Sequence, residues 1–257
     1  MTTKRKRLLV GLSLLCLLVV AAAVLVTRLL GGQDEPEALV VTEGQRASQV
    51  YANTDEVLGK PEGTTKKAAE KAARLGKLKL PKSADGNPEG FLYPATYPVD
   101  DSTTPTSLLS FMVNTAREKY AQFGDDSYDS VVLASIVQAE ADTPEDMGKV
   151  ARVIENREQQ GMPLQMDSTI NYALGRSTLN TSHADTQLDS PYNTYKHKGL
   201  PPTPIGNPGE DALKAAADPP QGDWVYFVTV KPGDTRFTDS YEQHMKWVDE
   251  FNENQKG

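Results

Sequence analysis

The spacing of apolar and polar residues along the chain predicts a mostly helical protein with a few short strands. Strand-like runs are short and rich in valine and aromatic residues, whereas the helical stretches repeat apolar positions every three to four residues. Strands are predicted at 38–42, 224–230 and 235–238, and helices at about 64–75, 106–122, from 128 onward, 144–161, 168–175, 210–217 and 241–252. The segment 81–105, rich in proline, is predicted to be a loop. This pattern indicates the α+β fold class.

One helix carries a carboxylate among apolar residues. In the sequence LASIVQAEAD at 133–142, the side chains of Ser135, Gln138 and Asp142 form one polar stripe at 100° per residue. Glu140 projects to the opposite side, above Ile136, where burial would raise its pKa. Such a glutamate suits acid catalysis of glycoside cleavage. The alternative is a structural ion pair between Glu140 and an arginine such as Arg152 or Arg157.

The start of the chain predicts a membrane anchor. Residues 1–7 contain four consecutive basic residues, and an apolar run from Leu8 to Val26 follows them. The run is long enough to span a bilayer, and the basic cluster predicts that the N-terminus is cytoplasmic and the rest extracytoplasmic. We therefore expect a transmembrane helix at 8–30 and a linker at 31–37. A cleaved signal peptide is the competing interpretation, although the run exceeds the usual length of its apolar region.

Composition argues against most cofactor chemistry. Cys16 is the only cysteine, and it lies in the apolar run, so the exported part has neither a disulfide nor a cysteine-based metal site. The three histidines show no metal-ligand spacing, and no phosphate-binding glycine-rich loop is present. No metal or cofactor is expected. The part that follows the apolar run is acidic, which disfavours nucleic acid and suits an uncharged polar ligand.

Two further segments are candidates for the site. Asp167 precedes a predicted helix, so it is either the N-cap of that helix or a ligand-binding residue. The stretch 190–208 is a long loop rich in proline, glycine and tyrosine, and it includes Tyr192 and Asn193. Loops of this length are usually functional when they are ordered.

Six motifs in order resemble the endolytic murein transglycosylase family, also described as YceG-like. The motifs are EGFLYPATY at 89–97, LASIVQAE at 133–140, VARVIENR at 150–157, GMPLQMDST at 161–169, SPYNTY at 190–195 and GLPPTPIGNPG at 199–209. Together they extend the resemblance from about Val40 to Phe251. The shared order and spacing make the resemblance specific, although each motif alone is modest.

The resemblance implies a bacterial enzyme, anchored in the plasma membrane and free of metal, that acts on peptidoglycan. It would cleave the β-1,4 bond that follows N-acetylmuramic acid within a glycan strand and leave a 1,6-anhydro end. The family's catalytic glutamate falls on Glu140, and Gln165, Asp167, Tyr192 and Asn193 correspond to its substrate cleft. Gln138 departs from the pattern, because relatives often carry glutamate there.

The resemblance also implies a division of the chain. A reduced LysM-like subdomain would occupy 38–88 and the catalytic domain 89–257, whereas relatives usually carry a longer module before the strand near Val40. Peptidoglycan synthases, as part of the elongation or division machinery, are the protein partners that the resemblance suggests. Two other functions stay open: a muramidase-type hydrolase using Glu140 with Asp167 or Asp142, and a non-catalytic glycan-binding or division scaffold.

Overall fold

The computed structural model describes residues 37–123, 127–176 and 181–254. Its elements are β1 (Ala38–Val41), α1 (Ala47–Val57), α2 (Thr64–Arg74), β2 (Ala95–Pro98), α3 (Pro105–Gln122), α4 (Tyr128–Glu140), α5 (Pro144–Gln159), α6 (Asp167–Ala173), α7 (Glu210–Ala217), β3 (Tyr226–Lys231), β4 (Asp234–Thr238) and α8 (Tyr241–Asn254). Helices dominate and the strands form two small sheets, so the predicted α+β class is confirmed for these residues.

The core is built around α4. Its residues 131–137 are at most 7% exposed, and α5 and α7 pack against it. A helix that is apolar on nearly every side is stable only when other elements surround it. The burial of α4 therefore fixes the position of its last residue, Glu140, relative to the rest of the core.

Hydroxyl caps determine where the central helices begin. The side chains of Thr104, Ser127 and Thr143 each accept a hydrogen bond, at 3.1–3.2 Å, from the backbone N–H three residues ahead. Such caps satisfy N–H groups that have no partner inside the helix. Pro144 occupies the first turn of α5, where its missing N–H costs no hydrogen bond, and the predicted start of this helix at 144 is confirmed.

The predicted loop 81–105 contains a strand. Residues 95–98 form β2, which pairs antiparallel with β1 and places Leu39 opposite Tyr97. The prediction of a loop was wrong here because Pro94 precedes this four-residue strand and Pro98 ends it, and prolines mask strand character in a sequence. Its hydrogen-bonding partner, β1, lies more than fifty residues earlier in the chain, and the local sequence pattern does not reveal such a pairing.

Residues 38–257 belong to one compact unit. The predicted boundary between 38–88 and 89–257 falls inside this unit, and the pairing of β1 with β2 joins the residues on its two sides. The division into a LysM-like subdomain and a catalytic domain stays a prediction. The predicted transmembrane helix at 8–30, with its flanks 1–7 and 31–36, lies outside the described residues. Among the helices that the structure describes, none is long and apolar enough to cross a bilayer.

Candidate active site around Glu140

Glu140 is the last residue of α4, and its carboxyl group reaches the first turn of α6. The side chain is partly exposed, and its Oε1 accepts a hydrogen bond of 3.4 Å from the backbone N–H of Ser168. Burial of the carboxyl raises the pKa of Glu140, while hydrogen bonds from Ser168 act in the opposite direction and Asp167 adds to the rise. The carboxyl of Glu140 is thus protonated more readily than that of an ordinary glutamate.

The two arginines considered as partners of Glu140 are occupied elsewhere. Arg152 pairs with Glu155 at 2.8 Å and donates to the carbonyls of Pro219 and Pro220. Arg157 is buried and donates from Nε to Val225 O and from Nη1 to Leu164 O, both at 2.6 Å. No ion pair joins Glu140 to any described residue. The structural ion pair is therefore wrong as an explanation of Glu140.

Asp167 is the first residue of α6 rather than its N-cap. The N-cap position belongs to Met166 and carries no side-chain cap. One carboxylate oxygen of Asp167 accepts a hydrogen bond of 2.6 Å from the hydroxyl of Tyr195. The N-cap interpretation is wrong, because the chain turns into the helix one residue earlier, and Asp167 instead connects α6 to the 190–208 loop beside Glu140.

Gln165 has a strained backbone and an exposed side chain. Its φ of 53° lies in the left-handed region, which residues with a side chain seldom adopt without compensation. Its N–H donates to Thr194 O at 3.0 Å, and the preceding carbonyl, Leu164 O, is held by Arg157. Contacts on both sides therefore hold the strained residue so that its amide side chain points into solvent near α6.

Asn193 is fully buried and organises its own loop. Its Nδ2 donates to Thr186 O at 3.1 Å and to Leu188 O at 2.7 Å, and its Oδ1 accepts from the N–H of Tyr195 at 3.0 Å. This side chain has its hydrogen bonds within the protein, so its geometry suits positioning of Tyr195 rather than contact with a ligand.

Thr194 fastens the same loop to the segment that leads into α6. Its hydroxyl accepts from the N–H of Met166 at 3.0 Å and lies 2.9 Å from the hydroxyl of Thr169. Because Gln165 also donates to its carbonyl, the segment before α6 and the SPYNTY loop are held as one platform next to Glu140.

Tyr192 is half-buried and belongs to an aromatic pair that the sequence did not indicate. Its ring centroid lies 5.0 Å from that of Tyr172, and its hydroxyl is 2.8 Å from that of Thr203. Tyr172 lies in α6, four residues after Ser168, so both project from neighbouring positions of one helical face. The structure thus brings Glu140, Asp167 and Gln165 to one end of α6 and Tyr192 to its side.

Glu89 is a buried carboxyl that sequence reasoning missed. It is 4% exposed, and it accepts hydrogen bonds from the N–H of Ala47 at 2.8 Å and from the hydroxyl of Tyr172 at 3.0 Å. Burial raises its pKa to about 7, although these hydrogen bonds and the nearby Arg46 act in the opposite direction. The only signal in the sequence was a single acidic residue before the aromatic residues at 91–97, and such a residue is equally typical of an exposed loop.

The polar stripe of α4 faces away from this platform. Ser135 accepts from the N–H of Ile205 at 3.0 Å, and Gln138 accepts from the N–H of Gly209 at 2.9 Å. Asp142 and Gln138 line a separate cavity of about 640 Å³ that Glu140 does not line. The helical projection from sequence is therefore confirmed for Ser135 and Gln138, whereas Asp142 lies beyond the end of α4. Gln138 supports the 199–209 loop. Among the described residues, no group of three or more His, Cys, Asp or Glu side chains could hold a metal.

Comparison with known proteins gives one consistent result. The model of the YceG-like family matches residues 20–250. An endolytic murein transglycosylase of Bacillus subtilis is 36% identical over 63% of this chain and 48% of its own length, and one of Streptococcus pneumoniae is 31% identical over 86% of this chain and 46% of its own length. This chain thus spans about half the length of these curated relatives.

A crystal structure of a YceG-like protein of Listeria monocytogenes superposes with a TM-score of 0.73 at 31% identity, covering 82% of this chain and 76% of that one. The chain belongs to the YceG-like family.

Proposed function

We propose that this protein is an endolytic peptidoglycan lytic transglycosylase with Glu140 as its catalytic acid and base. The observation that carries the proposal is the environment of this carboxyl. Burial desolvates it, it has no cationic partner among the described residues, and it lies, partly exposed, beside the platform formed by the 165–168 segment and the SPYNTY loop. Relatives that carry the name endolytic murein transglycosylase support the same activity.

The reaction needs one carboxyl that changes its protonation state. Glu140 first donates its proton to the glycosidic oxygen, so that the bond between C1 of N-acetylmuramic acid and that oxygen breaks. The carboxylate then takes the proton of the muramic acid 6-hydroxyl, whose oxygen forms the new bond to C1. The nucleophile is the substrate's own 6-hydroxyl, so the enzyme needs to orient this group and does not need to bind a water molecule. The proton taken from the hydroxyl restores the acid form of Glu140 at the end of each cycle.

The substrate cleft is assigned to Gln165, Asp167, Tyr192 and Asn193. Gln165 offers an exposed amide, Tyr192 a half-buried ring, and Asp167 a carboxylate fixed by Tyr195. Asn193 would act indirectly, by holding the loop that carries Tyr192 and Tyr195. Neutral polar groups of this kind can orient a sugar and stabilise an oxocarbenium-like transition state.

Membrane attachment is part of the proposal. The apolar run at 8–30 would anchor the chain in the bacterial plasma membrane with residues 1–7 in the cytoplasm, and the domain would act on glycan strands outside. Peptidoglycan synthases that produce nascent strands are the proposed protein partners. The 38–88 segment would be a reduced LysM-like subdomain, so we expect confinement at the membrane to replace tight independent glycan binding.

Mass spectrometry of the reaction products tests the proposal. Full-length protein is incubated with uncrosslinked glycan strands, and fragments ending in 1,6-anhydro-muramic acid are expected. Reducing ends, heavier by one water, would favour a hydrolase instead, and intact strands would favour a glycan-binding scaffold. Glu140→Gln should eliminate product.

Asp167 distinguishes the one-carboxyl mechanism from the two-carboxylate alternative. In a muramidase-type hydrolase, the second carboxylate is essential. Asp167→Asn retains the shape and can still accept from Tyr195, so in a transglycosylase the main effect should be a higher KM. Loss of kcat as deep as that of Glu140→Gln, together with reducing ends in the wild-type products, would support the hydrolase.

A further inference from the structure

The charge of the domain is divided unevenly between one short segment and everything else. Residues 64–82, which comprise α2 and the turns that follow it, carry seven lysine or arginine residues and one acidic residue. The rest of the chain from residue 37 onward carries 15 basic and 32 acidic residues. One segment of strong positive charge therefore lies in a domain that is otherwise strongly negative.

The cations of this segment are exposed and lack counterions. They form what we call the basic surface: Lys66, Lys67, Lys71, Arg74, Lys77, Lys79 and Lys82. None of them makes an ion pair with another residue in the described ranges. The buried side of α2 is formed by small residues, Ala69 and Ala72, so the long basic side chains extend from its other faces into solvent.

Two neighbouring features add to the basic surface. Leu75, in the middle of the segment, is an apolar side chain that is 58% exposed. Lys79 also lines a cavity of about 480 Å³ together with Arg117 of α3 and the apolar side chains of Leu80 and Phe91. The surface therefore combines dispersed positive charge with exposed apolar groups.

We propose that the basic surface docks on the anionic phospholipid headgroups of the membrane leaflet that the domain faces. Six of its seven cations are lysines, which act as separate point charges, whereas specific recognition of one phosphate favours the planar guanidinium of arginine. Dispersed lysines near an anionic bilayer each contribute a favourable interaction that adds along the surface. An exposed leucine such as Leu75 can enter the interfacial region between headgroups.

The position of the segment in the chain favours the same partner. If residues 8–30 span the membrane as predicted, the linker 31–37 is seven residues long and extends no more than about 25 Å. The start of β1 would then lie within that distance of the bilayer, and a weak interaction between the tethered domain and the lipid becomes effective through high local concentration. Docking would orient the domain, and with it Glu140, relative to newly made glycan.

Fluorescence quenching in reconstituted vesicles tests the docking. Full-length protein carries Cys16→Ala, to remove its only cysteine, and Ser83→Cys, an exposed position within the basic surface, for attachment of a fluorophore. The protein is inserted into phosphatidylcholine vesicles with or without phosphatidylglycerol, each containing a quencher on lipid headgroups. We expect quenching of the Ser83 probe only with phosphatidylglycerol and its reversal by salt. Equal quenching in both lipids would refute the proposal.

A probe at Asn252→Cys in the acidic helix α8 provides the positional control. It is exposed, and it should show the same low quenching in both lipids. Quenching at this position that depends on phosphatidylglycerol as strongly as at Ser83 would show that the domain is drawn to the bilayer without a defined face, which contradicts the proposal.

Two triple variants separate the basic surface from net charge. Lys66→Gln, Lys67→Gln and Lys71→Gln together should lower the ratio of docked to undocked protein on the order of 100-fold. The control, Lys214→Gln, Lys231→Gln and Lys246→Gln, removes the same charge elsewhere and should leave the ratio close to wild type. Equal effects of both variants would refute the proposal, and thermal unfolding verifies that each is folded. Because the readout is proximity and not cleavage, the result is independent of the proposed enzymatic activity.

Discussion

Two glutamates in this domain share a raised pKa but differ in their exposure and in their hydrogen bonds. Burial raises the pKa of both Glu89 and Glu140. Glu89 is enclosed and receives hydrogen bonds of 2.8 Å from the Ala47 N–H and of 3.0 Å from the Tyr172 hydroxyl. Glu140 is partly exposed and receives one long hydrogen bond, from Ser168 N–H. A raised pKa by itself therefore does not identify a catalytic acid.

The two glutamates differ in whether their carboxyl groups can still interact with a substrate. The hydrogen bonds of Glu89 connect the start of α1 to α6, and the side chain is buried between them, so Glu89 stabilises the fold. Glu140 lies at the end of α4, where the chain leaves the helix, and its carboxyl has room to donate to an incoming oxygen. Since both groups contact α6, Glu89 supports through Tyr172 the same helix that carries Ser168 next to Glu140.

The largest expected effect separates the two glutamates by activity. Glu140→Gln retains the shape of the side chain but removes the proton, so we expect cleavage to fall about 10²–10⁴-fold with an unchanged melting temperature. Initial rates on glycan strands and thermal unfolding of the same preparations measure this. Activity within tenfold of wild type would show that Glu140 is not the general acid.

Glu89→Ala should have the opposite profile. It removes the acceptor of the Ala47 N–H and the Tyr172 hydroxyl in a buried site, which costs about 1–3 kcal/mol for each unpaired group. Denaturant unfolding measures the loss. Glu89→Gln, which can still accept from one partner and donate to the tyrosine oxygen, is the matched control and should lose less. Full stability of Glu89→Ala with loss of cleavage would instead place Glu89 in the chemistry.

The sequence could identify one of these glutamates and not the other, for a physical reason. Helical periodicity within 133–142 was sufficient to predict the side of α4 on which Glu140 lies, and capping residues were sufficient to locate the start of α5. Glu89 lies in a segment without periodicity, and its partners come from α1 and from α6, more than forty and eighty residues away. The pairing of β2 with β1 escaped prediction for the same reason, since long-range contacts alone define it.

The pH dependence of stability should carry the signature of Glu89. The folded protein retains the proton of this carboxyl up to its raised pKa of about 7, whereas the unfolded chain releases it near the ordinary value of 4.5. The folded state thus binds the extra proton between these values, and stability falls as pH rises from about 4.5 to 7, by up to roughly 3 kcal/mol.

Urea unfolding at several pH values, compared between wild type and Glu89→Gln, isolates this contribution. The difference between the two proteins should change steadily through this interval and level off on either side. A difference that stays constant with pH would show that Glu89 does not titrate there, and the two glutamates would then differ in electrostatics as well as in hydrogen bonding.

The smallest expected effect concerns backbone strain beside Glu140. Gln165 and Asp85 are the non-glycine residues with left-handed backbone among those the structure describes, with φ of 53° and 44°. Replacement by glycine relieves this strain, which is worth about 1 kcal/mol, and the flexibility of glycine offsets part of the gain. We expect Gln165→Gly and Asp85→Gly to be as stable as the wild type or slightly more stable.

Only Gln165→Gly should raise the KM for glycan, because it removes the exposed amide from the platform beside Glu140, whereas Asp85 follows the 3-10 turn Lys82–Ala84. If both substitutions leave KM unchanged, the Gln165 side chain does not bind substrate, and the strain at this position serves only to direct the chain into α6.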